Sequence, residues 1–194
     1  MSPTPGAKGR APHRRSEQAR IAVLHAADDL LAERGFAAVT IEGIAARAGV
    51  AKQTIYRWWP SKVEVLLDTL IEDSEQALAV PDTGSAVEDA RQYLHALASF
   101  ITGDPAGKVL LALIGEAQHD EQMAGAFRTR YLEPRREAER AMLARGVAAG
   151  ELSPDLDVDR ALDELLGPIF YRALITGGPI SRTFTDLVVF QVLG

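Results

Sequence analysis

Residues 39–62 read VTIEGIAARAGVAKQTIYRWWPSK. Thr40 offers a hydroxyl in N-cap position ahead of a run in which Ile41, Ile44, Ala45 and Ala48 share one helical face, so a helix is predicted to open at Ile41. Gly49 follows the last periodic residue, where a helix ends most easily in left-handed backbone that costs glycine no Cβ clash. From Lys52 to Trp59 the pattern resumes, with Ile55, Trp58 and Trp59 inward and Lys52, Gln53, Thr54, Tyr56 and Arg57 outward. Pro60 stops that helix, and Ser61 with Glu64 forms a capping box for the next. Ala45 supplies the small side chain that two helices crossing over a short turn require. This is the spacing of a helix-turn-helix, in which the second helix enters a DNA major groove.

The surrounding composition agrees. The chain has 194 residues, no cysteine and a net charge of −6. Disulfide frameworks, thiolate zinc sites and cysteine nucleophiles are therefore excluded. The charge is divided unevenly: residues 1–62 carry ten Lys/Arg against five Asp/Glu, a net of +5, which leaves the remainder at −11. A basic head on an acidic body suits a DNA reader whose other face must stay off phosphates. The first fifteen residues are basic and rich in Pro and Gly, with no apolar stretch behind them, and the most hydrophobic C-terminal stretch is interrupted by Asp163, Glu164 and Arg172. The reading is a soluble, cytoplasmic protein without a signal peptide or membrane span.

Outward from the motif the pattern is helical throughout, broken at Gly/Pro clusters, and the fold class expected is all-α. Helices are predicted at residues 16–34, 41–48, 52–59, 62–78, 85–101, 108–118, 121–149 with a bend near Pro134, 158–176 and 181–193. Three regions follow: a basic disordered arm at 1–15, a helix-turn-helix domain at 16–62 and a helical body at 63–194. Lys8, Arg10, Arg14 and Arg15 of the arm suit either minor-groove contact or plain solvation.

Catalytic fragments fail on inspection. GDPAGK at 103–108 has its glycines one residue too close for a phosphate loop and Val109 where Ser or Thr is needed, and reads as a loop. Asp155, Asp157 and Asp159 imitate a calcium loop, but Arg160 replaces its glycine, and they read as caps of the following helix. His13, His25, His95 and His119 show no ligand spacing. Neither an enzyme, a metal nor a cofactor is expected.

Residues 40–62 resemble the signature of the tetracycline-repressor (TetR) family of bacterial transcription regulators, through Thr40, Ile44, Ala45, Ala48, Gly49, Val50, Thr54, Ile55, Tyr56, Trp59, Ser61 and Lys62. The C-terminal run GELSPDLDVDRALDELLGPIFYRALITGGPI is similar to that of many such repressors. Two positions depart from the pattern: Ala51 stands where the family often has serine, and Gln53 where it often has glycine. Alanine cannot cap, at a cost of about 1 kcal/mol, whereas glutamine adds a side chain able to bond adenine bidentately.

The resemblance implies a homodimeric regulator, by family default a repressor, that binds a palindromic operator and is released by a small-molecule effector. Thr40, Tyr56 and Lys62 are implied phosphate contacts, with Lys52, Gln53, Thr54 and Arg57 near base edges or flanking phosphates. An implied dimer interface draws on Leu162, Leu165, Leu166, Ile169, Phe170, Leu174, Leu187, Val188 and Val192. Phe100, Leu113, Phe127, Tyr131 and Phe170 are candidate walls of an effector pocket. The competing readings are a helical ligand-binding protein or enzyme whose head reads no specific DNA, and an interaction module whose basic head docks an acidic protein.

Overall fold

The computed structural model describes residues 11–194, and nearly all of the described chain is helical, with no strand among the described residues. Ten α-helices follow in order among the described residues: α1 Ala11–Arg34, α2 Ile41–Ala48, α3 Lys52–Tyr56, α4 Lys62–Ala77, α5 Ala86–Gly103, α6 Pro105–Glu116, α7 Glu121–Phe127, α8 Glu133–Ala148, α9 Val158–Tyr171 and α10 Arg182–Leu193. The chain divides into two compact units, Met1–Thr69 and Leu70–Gly194, and the division falls inside α4.

In the first unit α1 packs on α2, and α2 on α3. Val23, Leu24, Ala27, Leu30 and Leu31 of α1, with Ile44, Ile55 and Trp59, are all buried. Ile21 is exposed, and the buried stripe of α1 starts two residues later at Val23. Helix α1 also starts earlier than expected. It opens at Ala11, with Pro12 in its first turn, where a missing N–H costs nothing. Residues 11–15 are thus helical rather than part of a disordered arm, while Lys8 and Arg10 lie outside the described residues.

In the second unit α5 is the centre, packed against α6, α8, α9 and α10 and burying Tyr93, Leu94, Leu97, Phe100 and Ile101. The segment 103–108 is not a loop: Asp104 caps α6 by accepting from the Ala106 N–H, and Pro105 opens the helix. Helices α5 and α6 meet at 86°. At that corner a Cβ on Gly107 would lie 2.0 Å from the Phe100 carbonyl oxygen, so only glycine fits. The long helix near Pro134 is resolved into α7, a wide π-type turn at Arg128–Leu132 and α8. Pro134 has no N–H for the carbonyl four residues back, and the wider turn lies over that point. A second π-type turn, Arg172–Thr176, extends the chain beyond α9, which holds Pro168 in its interior. No single helix among the described residues is long and apolar enough to cross a membrane.

Candidate nucleic-acid interface and ligand cavity

The interface is built by local signals. The Thr40 hydroxyl accepts from the Gly43 N–H at 3.0 Å and starts α2. Gly49 closes α2 in left-handed backbone at φ 67°, a conformation strained for any residue with a Cβ. Ala51 occupies the N-cap of α3 without a side-chain bond, and α3 ends at Tyr56, three residues short of the expected end. Its chain continues as a turn in which the Trp58 and Trp59 N–H groups both reach the Ile55 carbonyl. Pro60 prevents a further helical turn. Trp59 is buried and donates its indole N–H to Asp68 of α4 at 2.7 Å, while Trp58, read as inward, is only half-buried and carries the Arg57 guanidinium over its ring at 4.9 Å.

The outer face of α3 brings together Lys52, Gln53, Tyr56 and Arg57, all exposed, with Thr54 half-buried beside them. Tyr56 is 51% exposed, so it is not a core side chain. Lys52 is ion-paired to Glu42 of α2 at 2.5 Å, which holds that carboxyl below its usual range. Lys62 is half-buried, its ammonium on the carbonyl oxygens of Val39 at 3.2 Å and Phe36 at 3.5 Å and over the Phe36 ring. Sequence reasoning missed Arg47, which clasps both Glu33 oxygens at 2.7 and 2.6 Å and so ties α2 to α1. That bond holds Glu33 below the usual carboxylate range.

Within Leu70–Gly194 a cavity of about 580 Å³ opens among α5, α6, the turn before α8, α8 and α9. Its apolar wall includes Tyr93, Leu97, Leu110, Tyr131, Leu166 and Phe170. Its polar wall includes Arg128, Arg135, Arg136, Glu139, Arg140 and Asp163. Of the five expected wall residues, Tyr131 and Phe170 line this cavity. Phe100, Leu113 and Phe127 do not line it and are buried, Phe127 stacked beneath Tyr131 at 5.2 Å. Tyr131, Arg135 and Glu139 fall every four residues on one helical stripe, and that polar break in a buried face is the sequence signal that marked the cavity.

Arg135 donates to the Leu78 carbonyl at 3.1 Å, the Ser74 hydroxyl at 3.0 Å and the Ser74 carbonyl at 3.4 Å, holding the last turn of α4. Its guanidinium also lies over the Tyr131 ring. Tyr93 donates its hydroxyl to buried Glu139 at 2.6 Å. Burial pushes the Glu139 carboxyl up and the Tyr93 and Tyr131 hydroxyls up. Tyr131 Oη and Arg135 Nε are buried with no hydrogen-bond partner.

The expected dimer residues separate into two sets. Leu162, Leu165, Ile169 and Val188 are buried in this chain's own core, and Leu166, Phe170 and Val192 are half-buried. Leu174 and Leu187 are exposed, and beside them stand Tyr171, Ile175 and Phe190, which the sequence reading passed over. Helix α9 is apolar over an arc wide enough to serve both core and surface, so periodicity alone did not divide the two.

A short polar helix standing outward behind a left-handed glycine turn, followed by a helical unit that encloses a cavity, defines a helix-turn-helix DNA-binding regulator. The chain belongs to the TetR family: residues 23–69 match the family described as bacterial regulatory proteins, tetR family, and residues 80–192 match the tetracyclin repressor-like C-terminal domain. It is 44% identical over 176 residues to the uncharacterized HTH-type transcriptional regulator YdeS of Bacillus subtilis (strain 168), covering 90% of this chain and 88% of that protein. It is 30% identical over 188 residues to the DNA-binding transcriptional repressor TetR of Mycobacteroides abscessus, covering 92% and 94%. The crystal structure of the TetR family transcription regulator SCO0332 superposes with a TM-score of 0.80 at 37% identity, covering 90% and 96%. The family is one of transcriptional regulators rather than enzymes.

Proposed function

We propose that this chain represses transcription from the cytoplasm as a homodimer, reading a palindromic operator with α3 of each protomer and releasing it when a small molecule occupies the cavity. The observation that carries the reading is the outward face of α3, where Gln53, Tyr56 and Arg57 stand exposed behind the Gly49 turn. Tyr56 and the exposed Thr40 at the start of α2 serve phosphates, and Gln53 and Thr54 read base edges. Lys52 and Arg57 add charge for flanking phosphates, Lys52 once it exchanges its Glu42 partner. Lys62, at the start of α4, serves a phosphate as well and braces the Phe36–Ala38 turn.

Dimerisation falls to the exposed apolar side chains of α9, α10 and the turn after α9, namely Tyr171, Leu174, Ile175, Leu187 and Phe190. Such side chains left in water cost hydrophobic free energy that a twofold partner recovers. The effector acts only by its difference in affinity between the DNA-bound and released forms.

The test is selection of random duplex DNA on the purified protein, with binding of the enriched duplex at two salt concentrations and Tyr56→Ala as control. Enrichment of a palindrome that the variant fails to hold supports the reading. No enriched sequence favours a head that does not read DNA, or one that docks an acidic protein.

A further inference from the structure

The cavity's polar wall says what kind of molecule it takes. Two buried donors on that wall, the Tyr131 hydroxyl and the Arg135 Nε–H, lack partners. Proteins rarely leave buried donors unpaired, because each gives up a hydrogen bond that water would have supplied. A guanidinium N–H only donates, so the atom it awaits is an acceptor, and an ammonium ligand does not fit.

The other charged groups on the wall are accounted for. Arg136 is paired with Asp163 at 2.7 Å and Asp159 at 3.4 Å, and Arg140 with Asp159 at 2.8 Å. Glu139 receives the Tyr93 hydroxyl, and Glu133 and Arg128 are exposed. Arg135 differs from these: its bonds go to the neutral oxygens of Ser74 and Leu78, and it makes no ion pair among the described residues. Glu139, the nearest carboxyl on that wall, is taken up by the Tyr93 hydroxyl and makes no direct ion pair with Arg135, so a half-buried cation free of direct carboxylate contact, next to an unpartnered hydroxyl and an apolar wall, is a receptor for an anion with an apolar body.

We infer that the cavity takes an apolar, ring- or chain-bearing molecule ending in one anionic oxygen group, a carboxylate or sulfonate, received by the Tyr131 hydroxyl and the Arg135 Nε–H. The inference rests on the cavity being the effector site.

Two fluorescent probes separate the two claims. The anion 8-anilinonaphthalene-1-sulfonate and neutral N-phenyl-1-naphthylamine share one ring system and differ by the sulfonate. Titrated into the full chain, the sulfonate is expected to bind at one saturable site, about tenfold or more tighter than the neutral probe, the worth of a charge-assisted hydrogen bond. Tyr131→Phe, which removes only a hydroxyl and keeps the stacked ring, loses most of that preference while neutral-probe affinity stays the same. Its thermal melt confirms folding. Arg135→Lys, which keeps charge but removes the Nε–H, is the second variant and is expected to act in the same direction. Equal affinity for the two probes, or a sulfonate preference intact in both variants, overturns the anion assignment and leaves the cavity as an effector site. Failure of both probes to bind overturns the cavity reading and the inference with it.

Discussion

Gln53 and Tyr56 stand on the same exposed face of α3 but ask different things of DNA. A glutamine that pairs with adenine carries sequence information, so Gln53→Ala is expected to relax preference at one base pair by about 1–3 kcal/mol. A phosphate contact carries none, so Tyr56→Phe weakens every duplex about equally; competition binding across single-base operator variants distinguishes the two. Glu139 makes a prediction of opposite character, on stability. Its carboxyl is pushed above the ordinary value of 4.5 by burial, so the folded chain holds that proton more tightly than the unfolded chain does. The resulting penalty is fully present above the raised folded value and disappears as pH falls below the unfolded one. Glu139→Gln, which keeps an acceptor for Tyr93, is expected to raise the melting temperature at pH 8 and to lose that advantage near pH 4. A constant advantage at both pH values would show that the proton is not the cause.

At the scale of the element, the helices begin and end where single residues supply or withhold a backbone hydrogen bond. Thr40, Ser85, Asp104, Asp120, Asp157 and Ser181 each accept from a backbone N–H at a helix start. Thr40→Ala removes the α2 cap and is expected to cost about 1 kcal/mol, read by chemical denaturation. Those at Thr40, Ser85 and Asp157 were legible because their signal lies within three residues of sequence, whereas the Asp120 and Ser181 caps were not read. Asp104 was a further exception: with Pro105 it forms a cap and first-turn proline, yet its setting between Gly103 and Gly107 resembled a loop. Gly107 explains the second glycine, since the α5–α6 corner leaves no room for a Cβ. Gly107→Ala is expected to destabilise by about 1–3 kcal/mol or more through that clash, and retained wild-type stability in a urea titration would contradict the packing. Where helix α9 divides its apolar side chains between core and surface was not legible, because every residue on a wide arc satisfies the same period.

At the scale of the whole molecule, the proposed dimer and the salt response are the measurable consequences. Ile175 and Phe190, 70% and 72% exposed, are the strongest candidates for a face that a second copy covers. Ile175→Glu with Phe190→Glu is expected to shift sedimentation from dimer to monomer and to abolish tight operator binding, since one protomer holds only one half-site. A double variant that sediments as the wild type would place the interface elsewhere. Operator affinity should also fall steeply between low and moderate salt, because each phosphate neutralised by Lys or Arg releases counterions.

The amino-acid sequence alone determined the all-helical class, the position of the turn between α2 and α3 and the outward face of α3. These rest on caps, breakers and a 3.6-residue period, which act over a few neighbouring residues. The tertiary structure alone decided that Lys62 turns onto the Phe36–Val39 carbonyls and that Leu162, Leu165, Ile169 and Val188 face inward. It alone brought Tyr93, Arg135 and Glu139 to one cavity wall. Those outcomes depend on which surface each helix meets, and residues as distant in the chain as Tyr93 and Glu139 become neighbours only when the helices pack.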